Sequence, residues 1–238
     1  MCEEKDKDEK NCDSGDQALD FIKELGILNG AASFKSDYQY ISIIGSIEGH
    51  STLPQDTKTT KYEHLIPQLI AAEENPEVRG VLFILNTVGG DVEAGLALSE
   101  LIATLSKPTV SLVLGGGHSI GIPLATSTDY SFIAETATMT MHPIRTNGLV
   151  ITAETTFTYM RKTQERVISF IEKHSRADRK TITRLMNCTD NMPNDVGTIL
   201  FGKEAVEIGL IDEAGGLSQA LDKLRKMIAE NLLTNNGK

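Results

Sequence analysis

The run Gly115-Gly116-Gly117-His118-Ser119-Ile120-Gly121 carries the sharpest chemical signal in the chain. A serine lies between a glycine-rich turn and an apolar stretch (Ile120, Ile122, Leu124), a pattern that predicts a helix N-terminus. There, unpaired backbone N–H groups and the positive end of the helix dipole face whatever the hydroxyl attacks. That setting suits an acyl-transfer nucleophile, with the Ile120 N–H as one oxyanion donor. The same residues also read as a glycine turn closed by an N-capping serine. Gly117-His118-Ser119-Ile120-Gly121 fits G-x-S-x-G, but that pattern alone does not choose between the two.

A nucleophilic serine needs a base, and the chain has five histidines: His50, His64, His118, His142 and His174. His118 adjoins the serine, so its ring is expected to point away from the attacking face. His64 and His174 fall on expected helices, where solvated side chains are the ordinary reading. His142 follows Thr138-Met139-Thr140-Met141 and precedes Pro143, which puts it at a strand end, where ligands collect in α/β folds. A second glycine loop, Asn86-Thr87-Val88-Gly89-Gly90-Asp91, joins an apolar strand to a helix. It lacks both GxGxxG and a Walker lysine, which weakens nucleotide binding as an explanation. Two adjacent glycines let a backbone approach a substrate and donate N–H groups, while Asp91 is the natural N-cap.

The elements that must position these residues follow from periodicity. Tyr40–Ile47, Val81–Leu85 and Thr109–Leu114 read as strands, the latter two as continuous apolar runs of the kind buried on both faces of a parallel sheet. Tyr62–Glu74, a stripe from Ala94 to Leu105, and Ile120–Thr126 read as the intervening helices. Phe132-Ile133 and Thr138–Met141 complete the pattern as short strands. This order predicts an α/β domain with a mainly parallel sheet, its two glycine loops converging at the carboxyl ends of the strands. Ala153–His174, free of Gly and Pro, predicts a long helix. Ser175 with Asp178 reads as a capping box for another helix through Met186, and Leu217, Leu221, Leu224 and Ile228 stripe a helix from Ser218.

Composition bounds the function. The formal net charge of −10 argues against a nucleic-acid backbone binder, and no run of eighteen apolar residues predicts a membrane span. Three cysteines (Cys2, Cys12, Cys188) at unrelated spacings suggest neither a disulfide framework nor a metal site, and a reducing compartment. Residues 1–37 read as a charged tail, without the apolar core of a secretory signal, followed by a short helix at Ala18, Phe21, Ile22 and Leu25. Residues 38–238 read as one domain. A cytoplasmic location is the expectation.

Four ordered segments, 41–50, 83–95, 115–125 with 138–143, and 202–216, together resemble the Clp-type serine peptidases. The resemblance implies an α/β fold of the crotonase kind, built from repeated β-α-β units with a mainly parallel sheet and a projecting handle at about 144–190. It implies Ser119 as nucleophile, His142 as general base, and Gly90 and Ile120 as oxyanion N–H donors. For the third member of the triad, counting back from the last segment reaches Gly197. Asp195 lies two residues away and is the expected member, with Asp190 as the alternative when counting forward. The resemblance further implies a peptide or unfolded-polypeptide substrate, homo-oligomeric stacked rings, a separate ATPase unfoldase and no cofactor in this chain. One cytoplasmic branch of the family is linked to preprotein export. Two rival readings are a scaffold that kept the fold without the activity, and an acyl-CoA enzyme, for which only Asp91 and Glu93 lie near the loops.

Overall fold

The computed structural model describes residues 36–146, 152–192 and 195–235. The chain divides into Met1–Ser36 and Asp37–Lys238. The expected tail and short helix lie outside the described residues, apart from 36 and 37. The second unit alternates strands and helices: β1 (Gln39–Glu48), β2 (Thr59–Lys61), α1 (Tyr62–Glu74), β3 (Val81–Gly90), α2 (Val92–Ala103) and β4 (Thr109–Gly117). There follow α3 (Gly121–Thr126), β5 (Tyr130–Ile133), β6 (Thr138–Met141), α4 (Ala153–Lys173) and α5 (Arg179–Met186). β7 (Thr198–Phe201), α6 (Gly202–Glu207), β8 (Glu213–Ala214) and α7 (Leu217–Asn235) complete it.

The sheet is mixed and mostly parallel. Its strand order is β2-β1-β3-β4-β5-β8, all in parallel pairs, while β6 branches off β4 and takes β7 antiparallel. The apolar runs are explained by two covered faces. Val81, Phe83 and Leu85 of β3 enter one core with α1, α2 and α3, whereas Leu82 packs with Leu224 and Ile228 of α7 on the opposite face. Each such side chain contributes about 1.5–3 kcal/mol by leaving water.

β3 and β4 run past their expected ends to Gly90 and Gly117, and Thr87 pairs with Gly117 across the parallel ladder. The two glycine loops therefore converge, as the topology required. At α5 the expected capping box is corrected. Asp178 is the N-cap, accepting from the Thr181 N–H at 3.0 Å, while the Ser175 hydroxyl donates to the Ile171 carbonyl of the preceding helix. No helix among the described residues is long and apolar enough to cross a membrane.

Candidate active site

Ser119 stands just beyond β4 with φ +56°, the one non-glycine residue in the left-handed region among the described residues. For an L-residue that conformation costs about 1–2 kcal/mol, so neighbouring contacts must impose it. Its N–H donates to the Thr140 carbonyl at 2.8 Å, the Gly121 N–H to His118 at 2.8 Å, and the Ile122 N–H to Ser119 at 3.0 Å. Ser119 does not cap α3: the capping position is Ile120, without a side-chain cap. The half-buried Ser119 hydroxyl makes no hydrogen bond among the described residues. The Ile120 N–H, between two committed amides, is likewise not engaged by a backbone acceptor.

The loop after β3 lies against this turn. Thr87 is buried, and its hydroxyl donates to the Gly45 carbonyl at 2.6 Å while accepting from the Gly89 N–H at 3.0 Å. Gly89 and Gly90 hold φ of +86° and +153°. A Cβ on Gly89 would fall 2.7 Å from the Ser119 Cβ, and one on Gly90 would fall 2.3 Å from the Ile47 carbonyl oxygen. Only glycine permits this approach. Asp91 fills its expected role, capping α2 through the Ala94 N–H at 2.8 Å.

His142 follows β6 and lines the same small cavity as Ser119, about 20 Å³, walled by Val92, Ile122, Val167 and Ile171. Its Nδ1 lies 2.8 Å from the Pro143 carbonyl oxygen. A carbonyl only accepts, so Nδ1 carries a proton, and in the neutral ring Nε2 is the nitrogen with the lone pair. Among the described residues no aspartate makes that bond. The expected Asp195 instead accepts from Arg145 Nη2 at 2.7 Å and from the Val196 N–H at 2.8 Å. Asp190, the alternative, is exposed and accepts from the Thr189 hydroxyl at 3.3 Å. Both carboxylates are drawn to partners nearer in the chain or of opposite charge. The residue that faces His142 is Gly197, φ +139°, where an added Cβ would lie 2.9 Å from the His142 Cβ and 2.4 Å from the Met141 carbonyl oxygen.

His118 turns toward β6. Its Nδ1 accepts from the Thr140 N–H at 3.0 Å and lies 2.8 Å from the Thr140 hydroxyl. Burial, and secondarily the charge of His142, hold His118 below the ordinary histidine pKa. His174 Nδ1 meets its own helix at the Phe170 carbonyl, 2.9 Å away, and His50 lies 3.4 Å from the Tyr62 hydroxyl. Beside the cavity, Arg166 of α4 forks onto Glu93 of α2 at 2.6 and 3.0 Å, which holds the Glu93 carboxyl below its usual range. Among the described residues no cluster of three His, Cys, Asp or Glu is placed to hold a metal.

Thr87, Thr140 and the Pro143 carbonyl escaped sequence reasoning. Thr87 was visible as a hydroxyl residue in the second glycine loop, but its partners at Gly45 and Gly89 were not. The others act through backbone groups, which residue types do not reveal.

The Clp protease family model matches residues 37–216. The translocation-enhancing protein TepA of Halalkalibacterium halodurans is 55% identical over 210 residues, covering 88% of this chain and 82% of that one. A putative signal peptide peptidase SppA of Enterococcus faecium is 25% identical over 191 residues, 69% of this chain and 56% of its own. Among solved structures, an asparagine-to-aspartate mutant of ClpP1 from Listeria monocytogenes superposes with a TM-score of 0.61 at 18% identity, covering 76% of this chain and 94% of that one. Matched by the family model over residues 37–216 and 55% identical to a relative over most of its length, the chain belongs to the Clp protease family.

Proposed function

We propose that this chain is a serine peptidase working through a Ser119–His142 dyad whose imidazole is oriented by a backbone carbonyl. The observation that carries the reading is the left-handed Ser119, hydroxyl unbonded, sharing a cavity with a histidine whose Nδ1 proton is fixed on Pro143. In the reaction, His142 Nε2 takes the Ser119 Oγ proton as Oγ bonds to the peptide carbonyl carbon. The Gly90 and Ile120 N–H groups hold the resulting oxyanion. Imidazolium then protonates the leaving amine as the C–N bond breaks, and water, deprotonated by the same Nε2, hydrolyses the acyl-enzyme. No cofactor enters these steps.

The apolar walls favour an apolar substrate side chain. At about 20 Å³ the cavity has room for roughly one water, so α2 and α4 must part for a side chain to enter. On this reading the fold is of the crotonase kind, α4 is the handle, and copies stack as rings. Exposed Phe157 and Tyr159 on α4 are surface that such contacts would cover. Substrates would be peptides or unfolded segments delivered by a separate ATPase. On the same reading the chain assists preprotein export from the cytoplasmic side, and the relative's name, translocation-enhancing protein, supports a link to translocation.

One observation favours a second reading, a non-proteolytic scaffold: a glycine, with no side chain to orient the imidazole, stands at 197 against the His142 Cα and Cβ. The acyl-CoA alternative loses ground because Asp91 caps a helix and Glu93 is held by Arg166. A fluorophosphonate probe separates the readings. The peptidase reading expects labelling of the wild type that vanishes in Ser119→Ala and falls at least a hundredfold in His142→Ala. An unlabelled wild type, or labelling that persists without Ser119, favours the scaffold.

A further inference from the structure

We infer that His118 is a positioning residue that straps the nucleophile's turn to the strand bearing the base. The inference rests on the reading of Ser119 and His142 as nucleophile and base. Two hydrogen bonds run between the same pair of segments, one in each direction. The Ser119 N–H donates to the Thr140 carbonyl at 2.8 Å, and the Thr140 N–H donates back to His118 Nδ1 at 3.0 Å. A side-chain nitrogen here completes what a β-ladder would otherwise supply, because the left-handed turn at Ser119 carries the backbone away from the ladder. Thr140 is two residues before His142, so the strap fixes the spacing between the two reacting groups through a short, rigid stretch of strand.

The strap requires neutral His118. A backbone N–H can only donate, so Nδ1 must present a lone pair, and imidazolium has none. Of the neighbours of His118, Gly116 of β4 and Thr140 of β6 at the ring and Thr87 of β3 at its backbone N–H bring no charge. The titratable side chain acting on it is His142, whose positive charge opposes that of His118. Burial likewise favours the neutral form. Acid therefore disables the site twice, once by protonating the base and once by releasing the strap.

The test compares His118→Asn with His118→Leu. An asparagine Oδ1 falls near the position of Nδ1 and accepts without titrating; leucine fills similar space and accepts nothing. The expected result is fluorophosphonate labelling at least tenfold slower in His118→Leu and within about threefold of wild type in His118→Asn. The wild-type acid limb should also be steeper than one ionisation, and His118→Asn should reduce it to one. Hydrogen exchange, followed on peptides spanning 115–121 and 138–142, reads the strap without any catalysis. Protection should be lost in His118→Leu and kept in His118→Asn. Equal protection in both variants, or equal loss in both, overturns the inference. A wild type that keeps this exchange pattern but never labels overturns the peptidase reading instead and leaves the strap standing.

Discussion

The two sides of the candidate site are built to different standards. On the nucleophile side, the ends of β3 and β4 and the turn after them are held by interlocking bonds: Thr87 to Gly45 and Gly89, His118 to Thr87, Ser119 to Thr140. On the other side, residues 187–192 and 195–196 are mostly exposed, and their carboxylates pair with Arg145 and Thr189 instead of the imidazole. Gly197 touches His142 with backbone alone. The His142 imidazole is met instead by the adjoining Pro143 carbonyl. The contrast teaches that groups needing unusual φ are fixed by redundant contacts, whereas a hydrogen-bond acceptor can be supplied from whatever lies within reach.

The largest effect should come from breaking the tighter side. In Gly90→Ala the new methyl would meet the Ile47 carbonyl oxygen at 2.3 Å, and φ +153° is a region L-residues rarely adopt. Relief requires β1 and β3 to separate at the Ile47–Gly90 pair. Strain of this kind costs on the order of 1–3 kcal/mol from the backbone alone, with the steric clash added. Denaturant unfolding should show a loss of at least that size, and labelling of Ser119 should be abolished.

That side was also the legible one, for a physical reason. Val81–Leu85 and Thr109–Leu114 announced strands covered on both faces, and the glycine pairs after them marked loops that parallel topology brings to one end. Ser119 and His142 could be proposed from a residue type at a strand end, and Gly90 and Ile120 from the glycine loops and the family resemblance, since a backbone N–H carries no residue-type signal of its own. What sequence hid was pairing. Thr198–Phe201 folds back antiparallel on β6, a contact between segments sixty residues apart that no local period encodes. That pairing brings Gly197 to His142 and leaves Asp195 facing Arg145. Counting along the chain fixes a position, but where the carboxylate points depends on charges and backbone acceptors known only after folding.

A smaller effect is expected from Thr87→Val, which keeps the shape and removes the hydroxyl. The Gly45 carbonyl and the Gly89 N–H would each lose their partner in a buried setting. Leaving such a group unsatisfied costs about 1–3 kcal/mol. Chemical unfolding should register that loss, and labelling should slow in parallel, because Gly89 lies directly against Ser119. A variant that unfolds like the wild type would show that this hydroxyl does not support the loop.

The smallest effect is the most informative about the looser side. In a serine triad, replacing the aspartate by asparagine lowers the rate by roughly 10⁴, because the imidazole takes the wrong tautomer. Here His142 Nδ1 donates to a carbonyl, which cannot reverse its role. Asp195→Asn should therefore change the labelling rate by less than about twofold. Its ion pair with Arg145 is part-exposed, with 39% of the Asp195 side chain open to solvent, so the stability change should stay within about 1 kcal/mol, the usual worth of a surface pair. Asp190→Asn should behave the same way. A drop of a hundredfold or more in either variant would mean that the segment before β7 swings a carboxylate onto His142 during turnover. The two sides of the site would then be equally determined, one by the resting fold and the other by the substrate.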